Sequence, residues 1–348
     1  MAHQHHGHDG ERGHDGEQAH QGEQAHQGEQ AHEGGQAHEG EQAHQGEQAH
    51  EGGRARHAPH GHHGHHGDTG LDWAVMGPML ESQAELFAPL YRTVMAWLAR
   101  EAPEPGLIVD TGSGPGVVSA LFAEAFPGAR VVAVDGSGPL LERARARAAR
   151  LGLADRFSTL TGELPEALTE LAYPADLLWA GNSLHHLGDQ RAALAVFAER
   201  LAPGGTLALL EGGLPARFLP RDIGIGRPGL QARLDATEAE WFARMRAELP
   251  GSVTEAEDWP ALLTAAGLKH TGTRSFLLDL PAPVGDRART YVAAVLTRLR
   301  EALAGGLDAE DRATLDRLLD PDDEASVHRR TDVFVLKAHT VYTAVRPV

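Results

Sequence analysis

Large apolar residues are almost missing from residues 1–67 and then recur in regular patterns to the end of the chain. From Leu80 to Arg100 the apolar positions Leu86, Phe87, Leu90, Tyr91, Val94, Met95 and Leu98 fall at helical spacing, and Pro89 divides the stretch into two helices. Beyond them, short apolar runs rich in β-branched residues alternate with amphipathic stretches. LIVDT, VVAVD, FSTLT, ADLLWAG, TLALLEGG, TRSFLLDL and VFVLKAHTVYTAV read as strands. Helices are predicted over 117–126, ending at Pro127-Gly128, over 189–201, and over EDWPALLTAAGL, capped by Gly267. Strands alternating with helices predict an α/β fold built on a parallel sheet. Two longer amphipathic stretches exceed what such a fold needs, one at about 213–250 and one at about 285–325. They are expected to be helical insertions that lie over the sheet as lids. The pattern divides the chain into a tail over 1–67, a helical cap over 68–105, and the α/β domain with its insertions over 106–348.

The tail changes the picture by composition alone. Six copies of a six-residue unit place histidines at 20, 26, 32, 38, 44 and 50, and a denser run adds His57, His60, His62, His63, His65 and His66. With nothing to bury, the segment is expected to be disordered. Clustered imidazoles are ligands for zinc, nickel, cobalt or copper, so a metal-binding tail is the candidate role. The 348-residue chain carries 49 acidic against 31 basic side chains, a formal charge of −18. That balance repels phosphate backbones and argues against a nucleic-acid partner. Cysteine is absent, which removes disulfides, thiolate zinc sites and chemistry on a cysteine nucleophile. No apolar run is long enough for a membrane span or a signal peptide, so no membrane partner is expected and a cytoplasmic location is.

The candidate chemistry sits where the first strand turns into a helix. Residues 107–118, LIVDTGSGPGVV, are a strand, a glycine-rich turn and a helix start, and Asp135 ends the next strand about 20 residues on. Backbone N–H groups at such a turn cradle a ligand, and the carboxylate is placed to hold ribose hydroxyls. Glycines stand at 112, 114 and 116, whereas the dinucleotide pattern needs one at 117, which is Val117. A pyrophosphate loop is therefore disfavoured.

The pattern Asp110-x-Gly112-x-Gly114-x-Gly116 resembles motif I of the class I S-adenosylmethionine-dependent methyltransferases. The resemblance runs over about residues 71–348, and it implies a Rossmann-like, doubly wound sheet of seven strands with the last antiparallel. It implies that Asp110, Gly112, Ser113, Gly114 and Gly116 surround the methionine part of S-adenosylmethionine, that Asp135, Gly136 and Ser137 meet the ribose, and that Gly162 and Glu163 meet the adenine. The segment ADLLWAGNSLHHLGD resembles motif IV of the small-molecule members, and it places Asn182 beside the methionine moiety and His185 and His186 beside the transferred methyl. Adjacent histidines cannot both face one way, so one of the two is expected to act as a base and the other to pack. Glu211, at the end of the strand TLALLEGG, is expected to face the cleft. The implied activity is methyl transfer to O, N or C of a small-molecule acceptor by in-line displacement. Two other readings are a metal-responsive protein with a non-catalytic fold and a peptide or protein methyltransferase. The arginines at 143, 145, 147 and 150 read as a solvated helix face, and Gln83 and Tyr91 as possible contributors from the cap.

Overall fold

The computed structural model describes residues 73–101 and 104–348. The tail, with all of its histidines, lies outside the described residues. Two helices come first, α1 (Trp73–Leu86) and α2 (Ala88–Glu101), and the break between them falls at Phe87, with Pro89 in the first turn of α2. The alternating part follows as β1 (Leu107–Thr111), α3 (Val117–Ala125), β2 (Arg130–Asp135), α4 (Gly138–Arg150), β3 (Phe157–Thr161), β4 (Ala175–Gly181) and α5 (Gln190–Glu199). Then come β5 (Leu201–Arg217), α6 (Leu230–Glu248), α7 (Trp259–Ala265), β6 (Lys269–Leu280), α8 (Asp286–Ala302), α9 (Ala309–Leu319) and β7 (Val335–Val345).

The strands form one seven-stranded sheet in the order β3-β2-β1-β4-β5-β7-β6. Strands β1 to β5 pair in parallel, and β7 runs antiparallel between β5 and β6. The fold is thus α/β and doubly wound. Period-two alternation divides the core: Ile108 and Trp179 face the side covered by α2, α3 and α4, while Val109 and Leu178 face the side covered by α5 and α7. Both faces are buried, which is why these strands read as near-continuous apolar runs.

Three details differ from the sequence reading. The segment Ala202–Gly205, ahead of the strand read from TLALLEGG, is a bulge inside β5, because Ala175 pairs with Leu201 and Leu177 already with Thr206. Strand β5 also continues to Arg217, so the first insertion begins after that residue rather than near 213. The arginines of α4 are not merely solvated. Arg143 and Arg147 reach across to Glu81, and Arg147 also to Glu85 at 2.6 Å, tying α4 to α1. A charge run looks the same in sequence whether water or another helix answers it.

Candidate active site

The turn after β1 is shaped by backbone demands that only glycine meets cheaply. Gly116 has φ 72°, and a Cβ there would lie 2.4 Å from Ala144 Cβ, so it serves the close approach of α3 to α4. Gly114, at φ 53°, faces open space instead. The N–H groups of Gly112 and Ser113 donate to Val134 O at 2.8 and 3.0 Å, which fixes the turn over the end of β2. Asp135 ties two loops together, because its Oδ2 accepts from Gly114 N and its Oδ1 from Ser137 N, both at 2.8 Å.

These loops wall a cavity of about 370 Å³ at the carboxyl ends of the parallel strands, where open α/β sheets bind ligands. Of the residues singled out from the sequence, the wall includes Asp110, Gly112, Ser113, Gly114, Asp135, Gly136, Glu163, Asn182 and His186. Gln83 of α1 and Tyr91 of α2 line it too. Gly116, Ser137, Gly162, His185 and Glu211 are not on the wall. Gly162 instead packs on Ala167. Residues that the sequence reading did not single out complete the cavity, chiefly Leu80, Trp179, Ser183, Leu187 and Leu249. Asn182 carried one signal of its place only in the backbone: it holds φ 53°, a left-handed conformation that Asn tolerates better than most residues.

The two histidines part company. His186 lines the cavity, whereas His185 turns to Glu211, whose Oε2 takes the Nδ1–H at 2.9 Å. Glu211 does not face the cleft. It lies within β5, is 4% exposed, and its Oε1 accepts from Leu184 N at 2.9 Å and His185 N at 3.4 Å. The carbonyl side of the same loop is held by Arg246 of α6, which donates to His185 O, Leu187 O and Gly188 O. The loop carrying His186 is therefore fixed on both sides by charged groups.

Burial dominates the electrostatics. It pushes Asp110 up to about 7, with the Ser119 hydrogen bond pulling the other way and the nearby Asp135 adding to the rise. It pushes His186 down to about 4, helped by repulsion from His185 and Arg246, so this imidazole is uncharged at neutral pH. Tyr91 is raised by burial and by Asp110. Behind it, His339 stacks at 6.5 Å, pushed down to about 3 by burial and by Lys337.

A glycine turn fixed over the end of β2, an acidic residue at the tip of that strand and a cavity between them make this a nucleotide-type cofactor site on a Rossmann-like sheet. Comparison with known proteins narrows the class. Residues 109–207 match the family model described as "Methyltransferase domain". The chain is 31% identical over 224 residues to a trans-aconitate 2-methyltransferase of Streptomyces avermitilis, an alignment spanning 61% of this chain and 77% of that protein. It is 39% identical over 156 residues to the enzyme of that name from Methylobacterium radiotolerans (44% of this chain, 56% of the relative). To the one from Paracidovorax citrulli it is 39% identical over 106 residues (29% and 37%). The chain thus spans between about a third and a little over half of the length of these last two. It belongs to the class I S-adenosylmethionine-dependent methyltransferases.

The site fits S-adenosylmethionine on its own evidence. Ser113 Oγ and Ser183 Oγ are buried on the cavity wall without hydrogen-bond partners among the described residues, and Gly114 leaves open the space a side chain would fill. Among the described residues no cluster of His, Cys, Asp and Glu has metal-holding geometry, and no helix is long and apolar enough to cross a membrane.

Proposed function

We propose that the protein methylates a small-molecule acceptor, with donor and acceptor held in the one cavity. The observation that carries this reading is that His186, Leu187 and Leu249 stand on the wall of the same cavity as the glycine turn and Asp135. S-adenosylmethionine, when bound, supplies a methyl group already activated on a sulfonium. The chain's own residues then bind, orient and exclude water. Asp110, Gly112, Ser113 and Gly114 hold the methionine part, Asp135 and Gly136 the ribose, Glu163 the adenine, and Asn182 the methionine side of the acceptor space. Leu80, Gln83 and Ala84 of α1 and Leu249 after α6 cover the cavity from the cap and from the first insertion.

His186 is the group for the acceptor. Uncharged at neutral pH, it accepts a hydrogen bond from an acceptor O–H or N–H and fixes that atom in place. His185 and Glu211 act behind it as positioning residues. The names of the relatives, which are methyltransferases of trans-aconitate, support a small-molecule acceptor over a peptide. A separate property is proposed for residues 1–67: their clustered imidazoles take up a borderline divalent metal such as zinc or nickel, independently of methyl transfer.

The test is to incubate the purified chain with methyl-labelled S-adenosylmethionine and a cell extract, then separate small molecules from polypeptides. Label is expected in the small-molecule fraction and is expected to vanish with Asp135→Ala. Label confined to polypeptides would sink the small-molecule reading.

A further inference from the structure

We propose that Lys337 and His339, neighbours on one face of β7, form a binding site for the carboxylate of a small molecule. The proposal goes beyond the methyl-transfer reading and does not depend on it.

Two of the chain's 31 basic residues are lysines, Lys269 and Lys337. Lys269 is exposed at the start of β6. Lys337 is half-buried in β7, with its Nζ 5.6 Å from the centre of the Phe87 ring. Two residues on, the side chain of His339 falls on the same face of the strand. Its ring makes a T-shaped contact with Phe87 at 5.8 Å and stacks on Tyr91 at 6.5 Å. One phenylalanine ring thus meets both groups.

Neither group is answered within the protein. Among the described residues the Lys337 ammonium makes no hydrogen bond and no ion pair besides its contact with Phe87. Glu238, the carboxylate that it feels, is paired with Arg298 at 3.4 Å. Burial and Arg298 hold Lys337 below the ordinary lysine value, with Glu238 pulling the other way. His339 is 4% exposed, and its Nδ1 has no hydrogen-bond partner among the described residues. Burial and Lys337 push it down to about 3, so at neutral pH it is an uncharged imidazole with one N–H to donate.

A desolvated ammonium and a buried imidazole N–H without acceptors each cost free energy that a ligand oxygen recovers. A carboxylate offers two adjacent oxygens, one for a charge-assisted bond from Nζ and one for the imidazole. Its single charge matches the single cation, whereas a doubly charged phosphate would leave a charge uncompensated among the rings of Phe87, Tyr91 and Tyr291. The residue type fits as well. Arginine keeps its charge at every ordinary pH, while a desolvated lysine sheds its proton without an anion beside it and regains it when one arrives. Tyr91 also stands on the cavity wall, so a carboxylate held here lies one ring away from the transfer site. Two sources share this chemistry, the methyl acceptor itself and a separate small acid.

The test uses the full chain with isotope-labelled lysine, whose two side-chain signals are read by NMR, and Lys337→Met assigns them. Acetate, succinate and benzoate are titrated in, with benzamide as the uncharged control. A saturable shift of the Lys337 signal toward that of a charged ammonium is expected with at least one acid, with Lys269 unmoved and benzamide without effect. By calorimetry, Lys337→Met and His339→Leu should each bind that acid roughly tenfold more weakly, and Lys337→Arg should retain part of the affinity. Unchanged S-adenosylhomocysteine affinity in Lys337→Met shows that the variant is folded. No shift with any of the three acids overturns the proposal, and so does undiminished binding by Lys337→Met. The labelled-transfer assay then separates the sources. A raised acceptor KM in Lys337→Met with kcat kept supports the acceptor's own carboxylate, and an unchanged KM supports a separate acid. Label confined to polypeptides removes the small-molecule reading above and leaves the titration to decide the site.

Discussion

Asp110 is where burial and chemistry oppose each other most directly. Its carboxyl is 2% exposed and raised to about 7, so ionising it in the folded chain costs more than in the unfolded one. The sign follows: this group leaves stability untouched below its ordinary value of 3.8 and takes stability away as pH rises from there to about 7. Asp110→Asn should therefore raise the melting temperature by several degrees at pH 8 and leave it nearly unchanged at pH 3.5. Scanning calorimetry of the two proteins at both pH values checks this, and equal shifts at both would refute the assignment. His186 carries the second residue-scale expectation. With its titration pushed down to about 4, an acid limb in kcat owed to this group should lie near that value rather than near 6.5. His186→Ala should lower kcat about 100-fold with S-adenosylmethionine affinity kept. Unchanged turnover would remove His186 from the reaction. At this scale the sequence was readable where backbone geometry forces a residue type, as at Gly114 and Gly116, and where one carboxylate ties two loops, as at Asp135. It was unreadable at Leu187 and Leu249, because a leucine on a cavity wall and a leucine in the core have the same pattern.

Among the elements, the loop between β4 and α5 depends on its neighbours. Glu211 of β5 takes its N–H groups and Arg246 of α6 its carbonyls, so an insertion after β5 completes the support of the loop that presents His186. Gly188 brings the two segments so close that a Cβ would sit 2.0 Å from Pro250 O. Arg246→Ala should lower kcat about tenfold while leaving S-adenosylmethionine affinity intact, since the glycine turn is untouched. A parallel loss of cofactor affinity would show that the helix acts on the whole site instead. The opposite split is expected at α1, which brings Leu80, Gln83 and Ala84 to the cavity and is tied down through Glu81. Glu81→Ala should weaken S-adenosylmethionine binding several-fold, and added salt should narrow the gap between the two proteins, because the pairs it removes are partly solvated. No single-sequence pattern announced either tie. Glu81, Glu85, Arg143 and Arg147 are 62 or more residues from the partners that explain them, and Arg246 sits in a helix whose own periodicity says only that one face is apolar.

At the scale of the molecule, the sheet was legible because each parallel strand announces itself twice, by its apolar run and by the turn or acidic tip where it ends. Ligand-binding edges of open α/β sheets lie at those tips, so knowing the strands located the cavity. The insertions were legible in place but not in purpose, since what α6 grips depends on a loop more than fifty residues away. The composition of the histidine-rich segment carries the expectation that it is dispensable for methyl transfer. Among the described residues, those on the cavity wall lie between Leu80 and Leu249, and the strands of the sheet lie beyond residue 106. A chain shortened to residues 68–348 should therefore keep its melting temperature, its affinity for S-adenosylmethionine and its turnover to within about twofold. It should at the same time lose the uptake of zinc or nickel that clustered imidazoles provide. Calorimetric titration with zinc and the labelled-transfer assay, run on both lengths with metal held fixed, measure the two properties independently. If transfer fell to background in the shorter chain, the segment would have to complete the active site, and the division between tail and enzyme drawn from composition would be wrong.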